Sequence, residues 1–250
     1  MNKQTILAIG AHPDDMEQFA GGTIRLLVKQ GHKVTIAHLT DGACGTKNLS
    51  AEEIIKIRAK EQITAAKMLG CKLINLGIRD GCIEDNLETA RKIAVLIRDV
   101  NPQIIITHPT EDYMSDHYET GRLVIRALPE AGHKNFEAPT KSPNIKHHPY
   151  VYQTDPQGLT FADGQYSKVN TIVDITDTIE EKLKAFAAHK SQIDFMPNIM
   201  NAVNKTRRWA VIRGEQVLVE YGEGFNQVLL AQYPRKNILA ELLPGEVYTL

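Results

Sequence analysis

Short apolar runs alternate with helix-length amphipathic segments through the first half of the chain. Thr5 to Gly10 (TILAIG) is apolar at nearly every position, which predicts a strand buried on both faces. A helix is expected from about Glu17 to Gln30, stopped by Gly31, and Lys33 to Thr40 is the next strand. Ser50 with Glu53 forms a capping box, so a second helix should run from Ala51 to Leu69 and end at Gly70. Lys72 to Leu76 reads as a third strand. Leu87 to Val100 is a helix closed by Asn101-Pro102, and Gln103 to Thr107 (QIIIT) is a β-branched fourth strand. Another helix begins near His117. Repetition of strand and helix at this spacing predicts βαβ units and a parallel sheet.

The second half is less regular. Asn135 to Pro149 carries three prolines and little periodicity, which marks an excursion loop. Tyr150 to Gln153 and Val169 to Ile175 add strands, and a helix runs from Asp177 to about His189. The remainder, with Pro197, Trp209 and a glycine-containing tail, is placed only loosely. The expected fold is α/β, a Rossmann-like three-layer sandwich with a mainly parallel sheet and an additional C-terminal β/helical portion. All 250 residues are read as one domain, with its core at about 1–130 and loop-rich and C-terminal elements at about 131–250.

A formal net charge of −1 gives no electrostatic footprint for nucleic acid or an anionic membrane. No window approaches the roughly 18 apolar residues of a membrane span. The start MNKQTILAIGAH lacks a small-residue cleavage site and reads as a buried strand. Cys44, Cys71 and Cys82 are odd in number and widely spaced, so neither a disulfide framework nor a thiolate zinc site is expected, and the compartment is read as cytoplasmic.

Chemistry concentrates in two places. Ala11 to Thr23 (AHPDDMEQFAGGT) puts His12, Asp14, Asp15 and Glu17 directly after the first strand, the edge where open α/β sheets bind ligands. Three carboxylates and an imidazole so close resist burial unless a cation neutralises them. A mixed nitrogen and oxygen set suits zinc better than calcium or magnesium, although another divalent transition metal fits too. His108 to His117 (HPTEDYMSDH) follows the fourth strand at the same sheet edge, and His117 completes a His/Asp/His set with open positions, as in catalytic zinc sites. A carboxylate outside the ligand set could then take a proton from water. Taken singly, each cluster also reads as solvated loop; their recurrence at equivalent strand ends favours a site. Gly21-Gly22-Thr23 matches neither phosphate-loop nor dinucleotide spacing and reads as close helix packing.

Both segments resemble the signature motifs of the LmbE-like, or PIG-L, family of zinc-dependent de-N-acetylases, which act on N-acetylglucosaminyl conjugates and related sugars. The likeness extends to TDGACGT at Thr40 to Thr46 and to the TIVDITD and HKSQ segments. It implies that His12, Asp15 and His117 bind zinc, that Asp14 is the general base, and that Asp112 and Asp116 orient His117 or a neighbouring imidazole; Asp116 fits equally as a helix cap. Relatives often have a histidine, thought to stabilise the oxyanion, where this chain has Met114, whose thioether cannot donate a hydrogen bond. His108, His189, Tyr113 or the metal alone could fill that role, with His189 the favoured choice. Arg79 and Asp80 either contact substrate hydroxyls or build a turn. Arg207-Arg208 reads as a solvated helix face, and His147-His148 receive no role. Pocket walls are expected chiefly from Asn135 to Tyr152 and the C-terminal region. The implied partner is a small amino-sugar conjugate, and the implied assembly a homo-oligomer. Two alternatives stand beside deacetylation: a noncatalytic sugar-binding or regulatory module that keeps the metal site, and a hydrolase of another ester or amide bond.

Overall fold

The computed structural model describes residues 2–195 and 202–250. Pro197 lies outside the described residues. Five strands, β1 (Thr5–Gly10), β2 (Lys33–Thr40), β3 (Lys72–Ile78), β4 (Ile104–Thr107) and β5 (Tyr150–Thr154), pair in parallel in the order β3-β2-β1-β4-β5. The sheet continues through β7 (Gly222–Gln227), β6 (Thr171–Asp174) and β8 (Val247–Thr249). β7 is antiparallel to both β5 and β6, and β8 is antiparallel to β6.

Helices cover both faces. Ile6 and Ala8 of β1 and Ile104 and Ile106 of β4 point to one side. There they meet Met16, Ala20, Ile24 and Leu27 of α1 (Asp15–Lys29), Leu69 of α2 (Ala51–Leu69), Leu183 of α5 (Ile179–Ala187), Ala210 of α7 (Ala202–Glu215) and Leu239 of α8 (Leu239–Leu242). Leu7, Ile9 and Ile105 point to the other, against Ile93 and Ile97 of α3 (Leu87–Val100) and Leu123 and Leu128 of α4 (Ser115–Gly132). With both faces covered, alternation gives way to continuous apolar strands, and each fully buried Ile or Leu contributes about 1.5–3 kcal/mol. The short α6 (Lys190–Phe195) follows α5.

The predicted bounds of β1, β2, α2 and α3 are those observed, because their caps form as read. Ser50 and Glu53 make a reciprocal capping box, Gly70 ends α2 in the left-handed conformation, and Asn101 does the same for α3. Residues 135–149 hold no regular element. The Gly21-Gly22 pair does serve close packing, since a Cβ at Gly22 would sit 2.7 Å from Ile175 Cβ. Across that contact the buried Glu223 of β7 accepts the amides of Gly22 (2.9 Å) and Thr23 (2.8 Å) and pairs with Lys182 of α5 at 2.6 Å. α1 is thereby pinned against both α5 and β7.

Candidate metal centre and active site

β1 and β4 are neighbours in register from Ile6↔Ile104 to Ile9↔Thr107, so the loops leaving their C-terminal ends emerge side by side. The first carries His12, Pro13 and Asp14 into α1; the second carries His108 to Met114 into α4. Asp15 occupies the first position of α1, and Asp116 and His117 the first turn of α4, where a helix N-terminus favours carboxylates.

These loops place His12, Asp15 and His117 together, with one ligand atom from each within 4.8 Å of the others. Asp15 Oδ1 lies 3.4 Å from His117 Nε2, and Asp15 Oδ2 lies 3.5 Å from His12 Nδ1. Ligand bonds of about 2.0–2.1 Å around a tetrahedral zinc leave about 3.3 Å between donors, so the spacing suits such an ion. His117 Nε2 is buried without a hydrogen-bond partner, the state of a nitrogen reserved for a cation.

The opposite edge of each imidazole is held by carboxylates. His117 Nδ1 meets Asp112 Oδ2 at 3.2 Å, and His12 Nε2 lies 3.3 Å from both Asp80 Oδ1 and Asp116 Oδ2. Such contacts keep the ring proton away from the nitrogen that faces Asp15 and fix ring orientation. Asp116 thus supports His12 rather than His117, and its carboxylate also accepts the Gly81 amide at 2.8 Å. Asp15 Oδ2 accepts the His12 amide (2.6 Å) and meets His108 Nε2 (2.9 Å), while the His108 ring stacks on His117 with centroids 4.0 Å apart.

Electrostatics follow from this crowding. Burial lowers the proton affinity of His117, but Asp15 and Asp112 outweigh it and raise its pKa to about 9. His12 is likewise held well above the usual histidine range, because Asp15, Asp116 and Asp80 outweigh burial. Burial raises Asp15, yet His117, His108 and His12 bring it well below the carboxylate range. His108, buried and beside cationic His117, falls to about 4 and stays neutral. Two imidazoles and a carboxylate crowded this closely form a group that could hold a cation.

Asp14 lies beside this centre with backbone φ 125°, a conformation that L-residues other than glycine rarely adopt. Burial raises its pKa, with Arg58 opposing and Asp15 adding to the effect. Arg58 reaches from α2 to place Nη2 3.4 Å from Asp14 Oδ2, donating also to the carbonyls of Pro13 and Gly42. Its signal in the sequence was modest: Arg58 and Gln62 fall at i and i+4 on the apolar stripe containing Ile54, Ala65 and Leu69.

A cavity of about 180 Å³ opens onto the cluster, lined among others by Asp14, Arg58, Asp80, Met114, Gln157 and Gln192. Asp80, not Arg79, is the member of that pair in the wall; the Arg79 side chain is half exposed and faces Asp41 at 3.6 Å. No residue between 118 and 156 lines the cavity; in place of the expected wall from Asn135 to Tyr152 stands Gln157, while Phe186, Gln192 and Ala202 supply the expected C-terminal part. His189 is fully buried behind the wall, its Nε2 3.6 Å from Glu17 Oε1, and neither ring nitrogen makes a hydrogen bond among the described residues. Glu17 is fully buried too, with His38 Nε2 3.7 Å from its other oxygen, and the two imidazoles outweigh burial to hold its carboxyl far below the usual range. His108 and Tyr113 are also outside the cavity lining, the first fully buried and the second exposed.

Among the described residues no helix is long and apolar enough to cross a membrane. The family model for GlcNAc-PI de-N-acetylase matches residues 7–128, the stretch that contains both motif loops. The probable N-acetyl-alpha-D-glucosaminyl L-malate deacetylase 2 of Bacillus cereus is 35% identical over 221 residues, covering 85% of this chain and 94% of that protein. The diacetylchitobiose deacetylase of Thermococcus kodakarensis is 33% identical over 195 residues, covering 75% of this chain and 69% of that one. The solved N,N'-diacetylchitobiose deacetylase of Pyrococcus horikoshii superposes with a TM-score of 0.79 at 30% identity, over 91% of this chain and 84% of the other. With likeness of this extent in sequence, fold and motif, the chain belongs to the PIG-L, or LmbE-like, family.

Proposed function

We propose that the protein is a zinc-dependent hydrolase that removes the N-acetyl group from an N-acetylglucosamine-type sugar conjugate. One observation carries the reading: His12, Asp15 and His117 converge at the floor of a cavity whose wall includes Asp14, a carboxylate outside the ligand set. Zinc held by those three residues supplies Lewis acidity, which eases deprotonation of water and polarises a carbonyl. Another divalent transition metal of similar ligand preference fits the same donors.

Asp14 takes the proton from the attacking water and later passes it to the departing amine nitrogen, so that acetate and a free amine result. Its raised proton affinity suits both transfers, with Arg58 opposing the rise that burial causes. The strained backbone at Asp14 turns its side chain into the cavity immediately before Asp15 turns toward the ligand set. Small-molecule pockets typically span about 300–1,000 Å³, so the cavity accepts the acetamide end and leaves the remainder of the conjugate outside. The names of the B. cereus and T. kodakarensis relatives support an amino-sugar amide as the bond cleaved.

The test is metal analysis of the purified protein together with acetate release from a panel of N-acetylated amino sugars after zinc loading. One zinc per chain and acetate from at least one member are expected. Protein that takes up no stoichiometric metal and releases no acetate would overturn the reading, and tight sugar binding without product would favour the noncatalytic module.

A further inference from the structure

We propose that the side-chain amide of Gln157 donates the hydrogen bond that stabilises the tetrahedral oxyanion of the deacetylation, in the position that Met114 leaves without a donor. This rests on the deacetylase reading above.

Elimination carries part of the argument. Met114 lines the cavity and has no donor to offer. Most of the other donors of the wall are already engaged. Gln18 Nε2 donates to Thr206 Oγ1 (3.2 Å), Gln192 Nε2 to the Gly45 carbonyl (3.0 Å), and the Cys44 thiol to the Asp80 carbonyl (3.4 Å). Arg58 donates from both Nη atoms to two carbonyls and is held against Asp14, which leaves only its buried Nε without a partner. Gln157 differs. Its Oε1 is buried without a partner, and its only hydrogen bond among the described residues is made by its backbone amide, so the whole side-chain amide is free.

Position carries the rest. The two oxygens of Asp112 gather three groups: Oδ1 accepts the Met114 amide at 2.9 Å, while Oδ2 accepts the Gln157 amide at 2.9 Å and meets His117 Nδ1 at 3.2 Å. Gln157 is therefore seated one carboxylate away from both the ligand His117 and the backbone of Met114. Its main chain is fixed further by Pro156 before it and by a 3₁₀ turn over Gln157–Leu159, closed by Leu159 N to Pro156 O at 3.0 Å. The fixed backbone anchors a neutral amide at the cavity wall, where its N–H can meet the negative charge that grows on the carbonyl oxygen. The hydrogen bond to an oxyanion is stronger than that to a neutral carbonyl, so the contribution of Gln157 falls mainly on the transition state and little on substrate affinity.

The experiment compares wild type with Gln157→Leu and Gln157→Ala, all zinc-loaded, in two arms. In turnover, kcat should fall by about 10²-fold, the lower range for loss of one oxyanion donor, with KM changed by less than about threefold. Met114→His on the Gln157→Leu background should restore about tenfold or more of the lost kcat by supplying an imidazole donor beside the same carboxylate. In binding, calorimetry with a methylphosphonamide analogue of 2-acetamidoglucose, a stable mimic of the tetrahedral centre, should show about 10²-fold weaker affinity, while glucosamine binding and the thermal midpoint stay unchanged. A rise in KM at constant kcat, or equal weakening of both ligands, overturns the proposal and makes Gln157 a ground-state contact. If wild type releases no acetate from any amide, the deacetylase reading falls by itself. The Gln157 role is then decided by the phosphonamide alone, and is rejected by equal affinity in wild type and variant or by no binding to either.

Discussion

Removing one charge behind His12 tests whether the buried carboxylates of this centre tune the metal or merely brace the fold. Asp116 Oδ2 accepts the Gly81 amide at 2.8 Å and faces His12 Nε2 at 3.3 Å, while Oδ1 lies 3.4 Å from the Ile83 amide. In Asp116→Asn one end of the carboxamide becomes a donor, and in either orientation that donor meets another N–H, from Ile83 or from Gly81 and His12. The charge that favours a proton on His12 Nε2 is lost as well, so the tautomer with Nδ1 free for the metal is less populated. Loss of such a partner costs about 10- to 100-fold in metal affinity, or about 1.4–2.8 kcal/mol. Asp80 Oδ1 remains 3.3 Å from the same nitrogen, so the single variant should fall near the tenfold end and the Asp80→Asn/Asp116→Asn double variant near the hundredfold end. Competition with a chromogenic zinc chelator measures this directly, with circular dichroism confirming the fold. Wild-type zinc affinity in a folded double variant would refute the idea that these carboxylates act through His12.

Other consequences are as accessible. Asp14→Asn deletes the base without deleting a ligand, so turnover should fall by about 10²–10⁴-fold while zinc stoichiometry is kept; retained activity would reassign the base. Asp15 and Asp112 push the His117 pKa up to about 9, and neighbouring carboxylates hold His12 above its ordinary value, so zinc binding near pH 7 should release protons, read by calorimetry in buffers of different ionisation enthalpy. The sign for stability follows: a raised folded-state pKa stabilises the metal-free protein fully below about 6.5, and that stabilisation disappears as pH rises through about 9. Its melting temperature should therefore fall across that window while the zinc-loaded form does not follow. Gly121 sits one turn beyond His117, and a Cβ there would lie 2.5 Å from the Pro109 carbonyl oxygen and 2.6 Å from that of His108. Gly121→Ala should cost about 1–3 kcal/mol by thermal denaturation and weaken zinc binding, because α4 must back away from the loop it packs on.

Much of the site was legible because its ligands flank two strongly patterned strands, and β1 and β4 could only be neighbours if their loops were to share an ion. α1 begins at Asp15 instead of Glu17 because the unusual backbone at Asp14 starts the helix at once, which no propensity announces. β7 was unreadable for another reason. GEGFNQ has neither alternation nor β-branched residues and becomes a strand only because β5 and β6 lie on either side of it. Asp80 and Arg79 are adjacent in sequence, so composition could not say which one faces inward. Gln157 carries no motif and reaches the cavity through a backbone amide bonded to Asp112, a contact defined by the fold and invisible in residue type.

The twisted backbone at Asp14 places turnover and folding in opposition at one position. A non-glycine residue held at φ 125° carries about 1–3 kcal/mol of conformational strain, and its carboxylate is also desolvated. Asp14→Gly should therefore yield an inert protein about 1 kcal/mol more stable than its parent, even after glycine's greater backbone entropy is counted. Improvement by selection for thermostability alone would erode this residue first, so any such campaign on this scaffold has to screen for acetate release at every round.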